Sequence, residues 1–223
     1  MEMLDASDFE LRSDVLTERR SAFRTSTVFR PVLIETDGFA GFCLVRNLSE
    51  TGMMGHIYTS FAENQAVTLH FDAELSVEGT LQWCREGRIG VRFDHPLDVD
   101  AVLARLARKV VRGQISRAPR LQLLCDGELI IGDRSLSIEV QDVSQRGIKA
   151  RASFIRPEDE VYVEIDGLER RKAVVRWTQD GTAGLNFITP LSFEELARWV
   201  VEKHARRLLA QGAPASQAWP KTV

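Results

Sequence analysis

Short runs in which apolar and polar residues alternate fill most of the chain, broken at regular intervals by turn residues, which is the period of half-buried β-strands. Residues 1–18 lack any such period and read as a flexible arm. From about Thr27 the strand pattern begins: Val28 to Ile34 is apolar-rich, Asp37-Gly38 predicts a turn, and Phe39 to Val45 follows. A polar interruption runs from Arg46 to Gly52. Val67 to Phe71 then alternates, and Leu75 to Cys84 and Ile89 to Phe93 complete the stretch before Pro96. Asp98 predicts the cap of a helix whose apolar positions Val102, Leu103, Leu106 and Val110 recur at helical spacing.

The same order of signals then starts again. Leu121 to Cys125 is apolar, Asp126-Gly127 predicts a hairpin turn, and Leu136 to Val140 alternates. Gln141 to Gly147 is the second polar interruption. Glu160 to Asp166 alternates into a turn at Gly167, and Ala173 to Trp177, a turn at Asp180-Gly181, and Ala183 to Phe187 finish the strands. Ser192-Phe-Glu-Glu195 has capping-box spacing and opens a predicted helix striped by Leu196, Trp199, Val200 and Leu208. The Gly-, Ala- and Pro-rich end predicts a flexible tail over 212–223.

The two halves share landmarks at one offset. Trp83 and Trp177 stand 94 positions apart, as do Gly90-Val-Arg-Phe93 and Gly184-Leu-Asn-Phe187, and Pro96-Leu97 and Pro190-Leu191. Asn47-Leu-Ser-Glu-Thr-Gly52 and Asp142-Val-Ser-Gln-Arg-Gly147 differ by 95. The chain is therefore read as two copies of a small β-rich unit, each closed by a helix, with domains at 19–112 and 113–211 and a boundary near Arg112 to Ser116.

Composition narrows the function classes. The 223 residues suit one large or two small domains, and 44% hydrophobic with 27% charged residues is ordinary for a globular protein. With 29 Lys+Arg against 32 Asp+Glu the net charge is −3, so the basic excess of a DNA- or RNA-binding surface is missing and neither is expected as a partner. Cys43, Cys84 and Cys125 sit singly in apolar runs, where a free thiol acts as a small hydrophobe. The acidic start lacks the apolar region of a signal peptide, and no run reaches the roughly 18 apolar residues of a membrane span. The expected setting is a reducing cytoplasm without membrane insertion.

His56, His70, His95 and His204 have no Cys or acidic residues at ligand spacing, so no metal or other cofactor is expected. Catalytic fingerprints are missing too, and the chain is expected not to be an enzyme.

Both copies contain Asx-x-Ser-x-x-Gly. Its short polar side chains can hold a turn or face a ligand, and its glycine can permit a tight bend or a close approach. In the first copy Arg20 and Arg24 precede the first strand, in the run Arg19-Arg20-Ser-Ala-Phe-Arg24. An arginine pair before the first strand, with Asn47, Ser49 and Gly52 after the second, resembles the PilZ family of bacterial receptors for cyclic di-GMP. The Gly-Val-Arg-Phe run and the trailing helix also fit that resemblance.

The resemblance implies a mainly β chain: two tandem, small, antiparallel PilZ-like barrels, each followed by a C-terminal α-helix. It implies cyclic di-GMP as the ligand, held on the outside of the first barrel by Arg20, Arg24, Asn47, Ser49 and Gly52. Guanidinium can pair with the O6/N7 edge of guanine or with phosphate, Asn47 and Ser49 can meet other polar edges, and Gly52 would leave room for a purine. Arg19 reads equally as an exposed arm residue and as a stacking plane for a ligand pair.

The second copy departs from the pattern. Asp142, Ser144 and Gly147 keep the turn, and Arg120 stands 96 positions after Arg24, but Ser116 falls where Arg20 would repeat. Arg117 is one residue out of register, and Pro119 stiffens the segment. The resemblance thus implies a degenerate second site, suited to structure, an interface or a protein partner. An adaptor that ignores nucleotide, and assembly with a second copy of the chain, both stay open.

Overall fold

The computed structural model describes residues 26–111 and 118–210. Six strands, β1 (Ser26–Thr36), β2 (Phe39–Ser49), β3 (Gly52–His56), β4 (Ala66–Asp72), β5 (Leu75–Arg85) and β6 (Arg88–Phe93), close into an antiparallel barrel in the order β1-β2-β3-β6-β5-β4, and α1 (Val99–Val111) follows. Then β7 (Leu121–Ile131), β8 (Arg134–Ser144), β9 (Gly147–Arg151), β10 (Glu160–Ile165), β11 (Arg171–Gln179) and β12 (Thr182–Phe187) repeat that order in a second closed barrel, followed by α2 (Phe193–Ala210).

Alternation produces the two cores. Val67, Leu69 and Phe71 of β4 point inward with Val32, Ile34, Cys43, Val45 and Leu81, and Val102 and Leu106 of α1 join them. Each such aliphatic side chain contributes about 1.5–3 kcal/mol on burial. Val161, Val163 and Ile165 of β10 play the part of β4 in the second core, which Leu196, Trp199 and Val200 of α2 complete. Burial pushes the Cys43 thiol well above its ordinary range, as befits a core hydrophobe.

Both helices begin as the caps predict. The Ala101 N–H donates to Asp98 Oδ1 at 2.9 Å, and the Glu195 N–H to Ser192 Oγ at 3.1 Å. Each helix is also tied to the same hairpin of its barrel. Arg105 binds Asp72 and Glu74 (3.2 and 2.7 Å), while Lys203 and Arg206 bind Asp166 (3.0 and 2.6 Å).

The repeat landmarks turn out to be barrel-building devices. Trp83 lies opposite Gly90, and Trp177 opposite Gly184, each beside a β-bulge. A Cβ on Gly90 would stand 2.2 Å from the Trp83 Nε1, and one on Gly184 2.1 Å from the Trp177 Nε1. Each indole therefore lies flat over a glycine on the barrel wall. Trp177 is 42% exposed on that wall.

Two expectations are corrected. Asp126-Gly127 makes no turn: β7 runs through it, and the chain reverses instead at Gly132-Asp133, with Gly132 at φ 56°. Gly127 is needed mid-strand because a Cβ there would approach the Glu164 carbonyl oxygen of β10 to 2.9 Å. The polar interruptions from Arg46 to Gly52 and from Gln141 to Gly147 are mostly strand, since β2 and β8 continue to Ser49 and Ser144 through bulges. Next come β3 and β9, short strands whose residue types do not alternate, although burial along β3 does. The arm 1–18, the boundary at Arg112 to Ser116 and the tail 212–223 lie outside the described residues.

The second helix packs against both barrels. Phe42, on the outside of β2, is buried in the second barrel's core, with Leu33, Ala40 and Tyr58 against it. The His204 ring meets Phe39 edge-on, with centroids 5.1 Å apart. The outer wall of the first barrel is thus partly covered by the last helix of the second.

Candidate ligand-binding site

The corner carrying Asn47, Ser49 and Gly52 consists of the end of β2, a turn at Glu50-Thr51 and the start of β3. The Ser49 hydroxyl donates to the Gly52 carbonyl at 2.9 Å and pins the turn. The Leu97 N–H donates to the Glu50 carbonyl (2.7 Å) and the Phe93 N–H to the Thr51 carbonyl (2.9 Å), so the Pro96-Leu97 segment braces the corner from outside. A Cβ on Gly52 would lie 2.4 Å from the Val91 carbonyl oxygen of β6. Glycine is required there by the neighbouring strand.

The second corner is built the same way. Ser144 donates to the Gly147 carbonyl at 3.1 Å, while Leu191 and Phe187 brace Gln145 and Arg146 (2.8 and 2.9 Å). A Cβ on Gly147 would come within 1.9 Å of the Leu185 carbonyl oxygen. Serine and glycine of the motif are therefore parts of the barrel in both copies.

The first residue of the motif separates the corners. Asp142 is 5% exposed, and its Oδ1 accepts from Arg120 Nη1 at 2.7 Å. Two members of the degenerate site thus neutralise each other. Asn47 is half-buried, and its amide has no partner among the described residues. Strand register also places Arg120 differently from the sequence count. Leu121 pairs with Val143 as Ser26 pairs with Leu48, an offset of 95 between the two barrels at this strand pair.

Register also brings in residues that the sequence pattern did not single out. Thr27, Asn47, Met54, Gly90 and Trp83 form one row across β1, β2, β3, β6 and β5. The corresponding row in the second barrel is Gln122, Asp142, Lys149, Gly184 and Trp177. Next to the first corner the Arg46 guanidinium lies 4.5 Å from the centre of the exposed Phe29 ring, and Arg85 lies 5.2 Å from that of Trp83. Arg92 faces Gly52 across β3 and β6. The corner can therefore offer an amide, an indole face and guanidinium groups on one wall. Arg19, Arg20, Arg24 and Arg117 lie outside the described residues.

The PilZ domain family model matches residues 18–112, the span of the first barrel and its helix. The match to the PilZ domain family is confined to this first half of the chain. No curated protein sequence matches the chain. Among solved structures the chain is similar to PlzA of Borreliella burgdorferi in complex with c-di-GMP, at 9% identity and a TM-score of 0.39, covering 86% of this chain and 98% of that one. It is also similar to YcgR of Escherichia coli in complex with c-di-GMP, at 12% identity and a TM-score of 0.33, covering 94% and 100%. The PilZ domain of CeSA from a cellulose-synthesising bacterium covers 43% of this chain at 16% identity and a TM-score of 0.30, and 99% of its own length is matched.

Among the described residues no helix is long and apolar enough to cross a membrane, and no group of His, Cys, Asp and Glu side chains is placed to hold a metal ion.

Proposed function

We propose that the chain is a cyclic di-GMP receptor and effector whose ligand binds at the PilZ corner. The observation that carries this reading is the contrast in one position: the Asn47 amide has no partner among the described residues, while Asp142 is consumed by Arg120. Thr27 pairs with Asn47, so β1 enters beside that amide, and Arg24 stands three positions earlier in the chain. In this reading Arg20 and Arg24 read guanine edges and phosphates, with Arg19 adjoining. Asn47 meets a polar edge, Trp83 supplies a stacking face, and Ser49 and Gly52 hold the turn. Ligand draws the arm onto the barrel and changes a surface offered to a protein partner, to the extent that it binds the two arrangements differently.

Calorimetric titration of the pure chain with cyclic di-GMP tests this. Each bidentate arginine–guanine pair is worth about 1–3 kcal/mol, so Arg20→Ala with Arg24→Ala is expected to weaken binding by ~30-fold or more. Absent binding, or unchanged affinity in the double variant, removes the reading.

One observation favours a second reading, an adaptor that acts without nucleotide. The second barrel exposes Leu124 (73%), Phe154 (95%) and Ile188 (55%). That reading expects a protein partner to be captured equally with and without cyclic di-GMP, and equally by the double arginine variant.

A further inference from the structure

Beside the motif corner, the outer wall of the first barrel holds more guanidinium groups than carboxylates. Arg88 stands directly opposite Arg85 on neighbouring strands, and His56 faces Arg88 from β3. One step along the wall, Met54, Gly90 and Trp83 share a row with Asn47, and Arg46 occupies the bulge of β2 next to it. Arg85 lies over the Trp83 ring and Arg46 over the Phe29 ring, and among the described residues neither they nor Arg88 have a carboxylate within ion-pair distance. Glu86, in the turn between Arg85 and Arg88, offsets one of the three charges. Glu194 of α2 is held by Arg198 at 2.9 Å, and Glu50, Glu78 and Asp94 lie at the opposite end of the wall, past Arg92. Like charges directly opposite on paired strands are destabilising, so this end of the wall favours a negatively charged occupant.

Residues 1–18 of the same chain have the complementary charge. They hold Glu2, Asp5, Asp8, Glu10, Asp14 and Glu18 against Arg12, a net of −5. Residues 19–25 join them to β1, whose Ser26 is fixed opposite Leu48 at the edge of the corner. Those seven residues span at most about 25 Å. Across β2, β3 and β6, β5 lies four interstrand steps from β1, roughly 19 Å. The acidic segment is therefore tethered within reach of Arg46, Arg85 and Arg88.

We propose that, without nucleotide, the acidic segment 1–18 docks on the wall framed by Arg46, Arg85 and Arg88. The consequence for signalling rests on the cyclic di-GMP reading: phosphates brought to the neighbouring corner compete for the same guanidinium groups and release the segment. A short tether holds the segment at an effective concentration in roughly the millimolar range, so even weak docking lowers the apparent affinity for the ligand.

The full chain tests this first without nucleotide. In an arm variant carrying Glu10→Gln, Asp14→Asn and Glu18→Gln, the Trp83 indole N–H resonance, identified by its loss in Trp83→Phe, is expected to leave its position in the parent chain. A peptide of residues 1–18 should return it saturably, and should fail to do so once Arg85→Gln and Arg88→Gln, at two exposed positions, are added. Asp133→Asn with Glu139→Gln and Glu169→Gln makes the same change of charge at exposed positions of the second barrel and should leave the resonance in place. A resonance equal in the arm variant and the parent, or moved equally by the second-barrel control, overturns the proposal. In calorimetry the arm variant should bind cyclic di-GMP about fivefold more tightly than the parent or the control, and equal affinities overturn the competition. A chain that does not bind cyclic di-GMP removes the ligand reading alone, and the comparison without nucleotide still decides the docking.

Discussion

The two motif corners share a backbone and differ in what their first side chain is free to do. In the first barrel the Asn47 amide has no partner among the described residues and lies in a row with Met54 and Trp83. In the second barrel Asp142 is buried against Arg120, with Lys149 beside it in the corresponding row. The motif alone therefore reports a tight barrel corner. What sets the corners apart is whether their polar groups already satisfy one another, because a buried acid that holds its own arginine has little left to offer a ligand.

The largest effect probes what the corners share. Gly147→Ala and Gly52→Ala both push a Cβ into a strand carbonyl, with the closer approach at Gly147 (1.9 against 2.4 Å). Both should lose about 3 kcal/mol in denaturant unfolding, Gly147→Ala the more. A stable Gly52→Ala that loses only ligand would break the comparison, by giving that glycine to the ligand after all.

Next comes the position at which the corners differ. Asp142→Ala strands Arg120 and should cost about 1–2 kcal/mol, below the 3–5 of a fully buried pair because Arg120 reaches solvent. Asn47→Ala should stay within about 0.5 kcal/mol in stability. Similar losses at both positions in chemical denaturation would show that Asn47 is engaged inside the barrel to the same degree as Asp142.

The serine bonds give a smaller and more even pair. Ser49→Ala and Ser144→Ala should each lose about 1 kcal/mol, slightly more for the buried Ser144, in the same unfolding measurement. A Ser49→Ala variant that keeps full stability would point to a ligand role for that hydroxyl.

The smallest effect concerns acid and the seam where α2 meets the first barrel. His56 and His204 both sit below the ordinary 6.5, His56 through burial, Arg46 and Arg88, and His204 through burial and Arg207. The unfolded chain then binds more protons than the folded one, so these groups support the fold fully above pH 6.5 and progressively less as pH falls through that value. The thermal midpoint should decline over that window, and His56→Asn with His204→Asn should flatten the slope. An unchanged slope in the double variant would show that neither imidazole is desolvated at the seam.

Much of the fold was legible because it rests on local chemistry. The alternation of Val67, Leu69 and Phe71, the caps at Asp98 and Ser192, and the turns at Asp37-Gly38 and Asp180-Gly181 are all short-range signals. Asp126-Gly127 misled because a glycine at a strand crossing and a glycine in a turn look alike in sequence. Met53 and Met54 showed no strand period, since β3 is held in place by pairing with β2 and β6. At the candidate corner Asn47, Ser49 and Gly52 stood out in the sequence, whereas Trp83, Met54 and Arg46 did not, as cross-strand register alone brings them beside it.

Two copies of one strand-rich unit, their capped helices, and the identity of the paired polar corners all follow from the order of residues, because period, turn chemistry and repetition are written along the chain. Which corner is open follows only from the folded arrangement. Arg120 and Asp142 lie far apart in sequence and reach 2.7 Å only when β7 and β8 pair in a particular register. The seam of His56, Tyr58 and Arg198 likewise exists only through the packing of α2 across both barrels. Side-chain neutralisation and shared cavities depend on distances between strands, and no spacing along one chain encodes them.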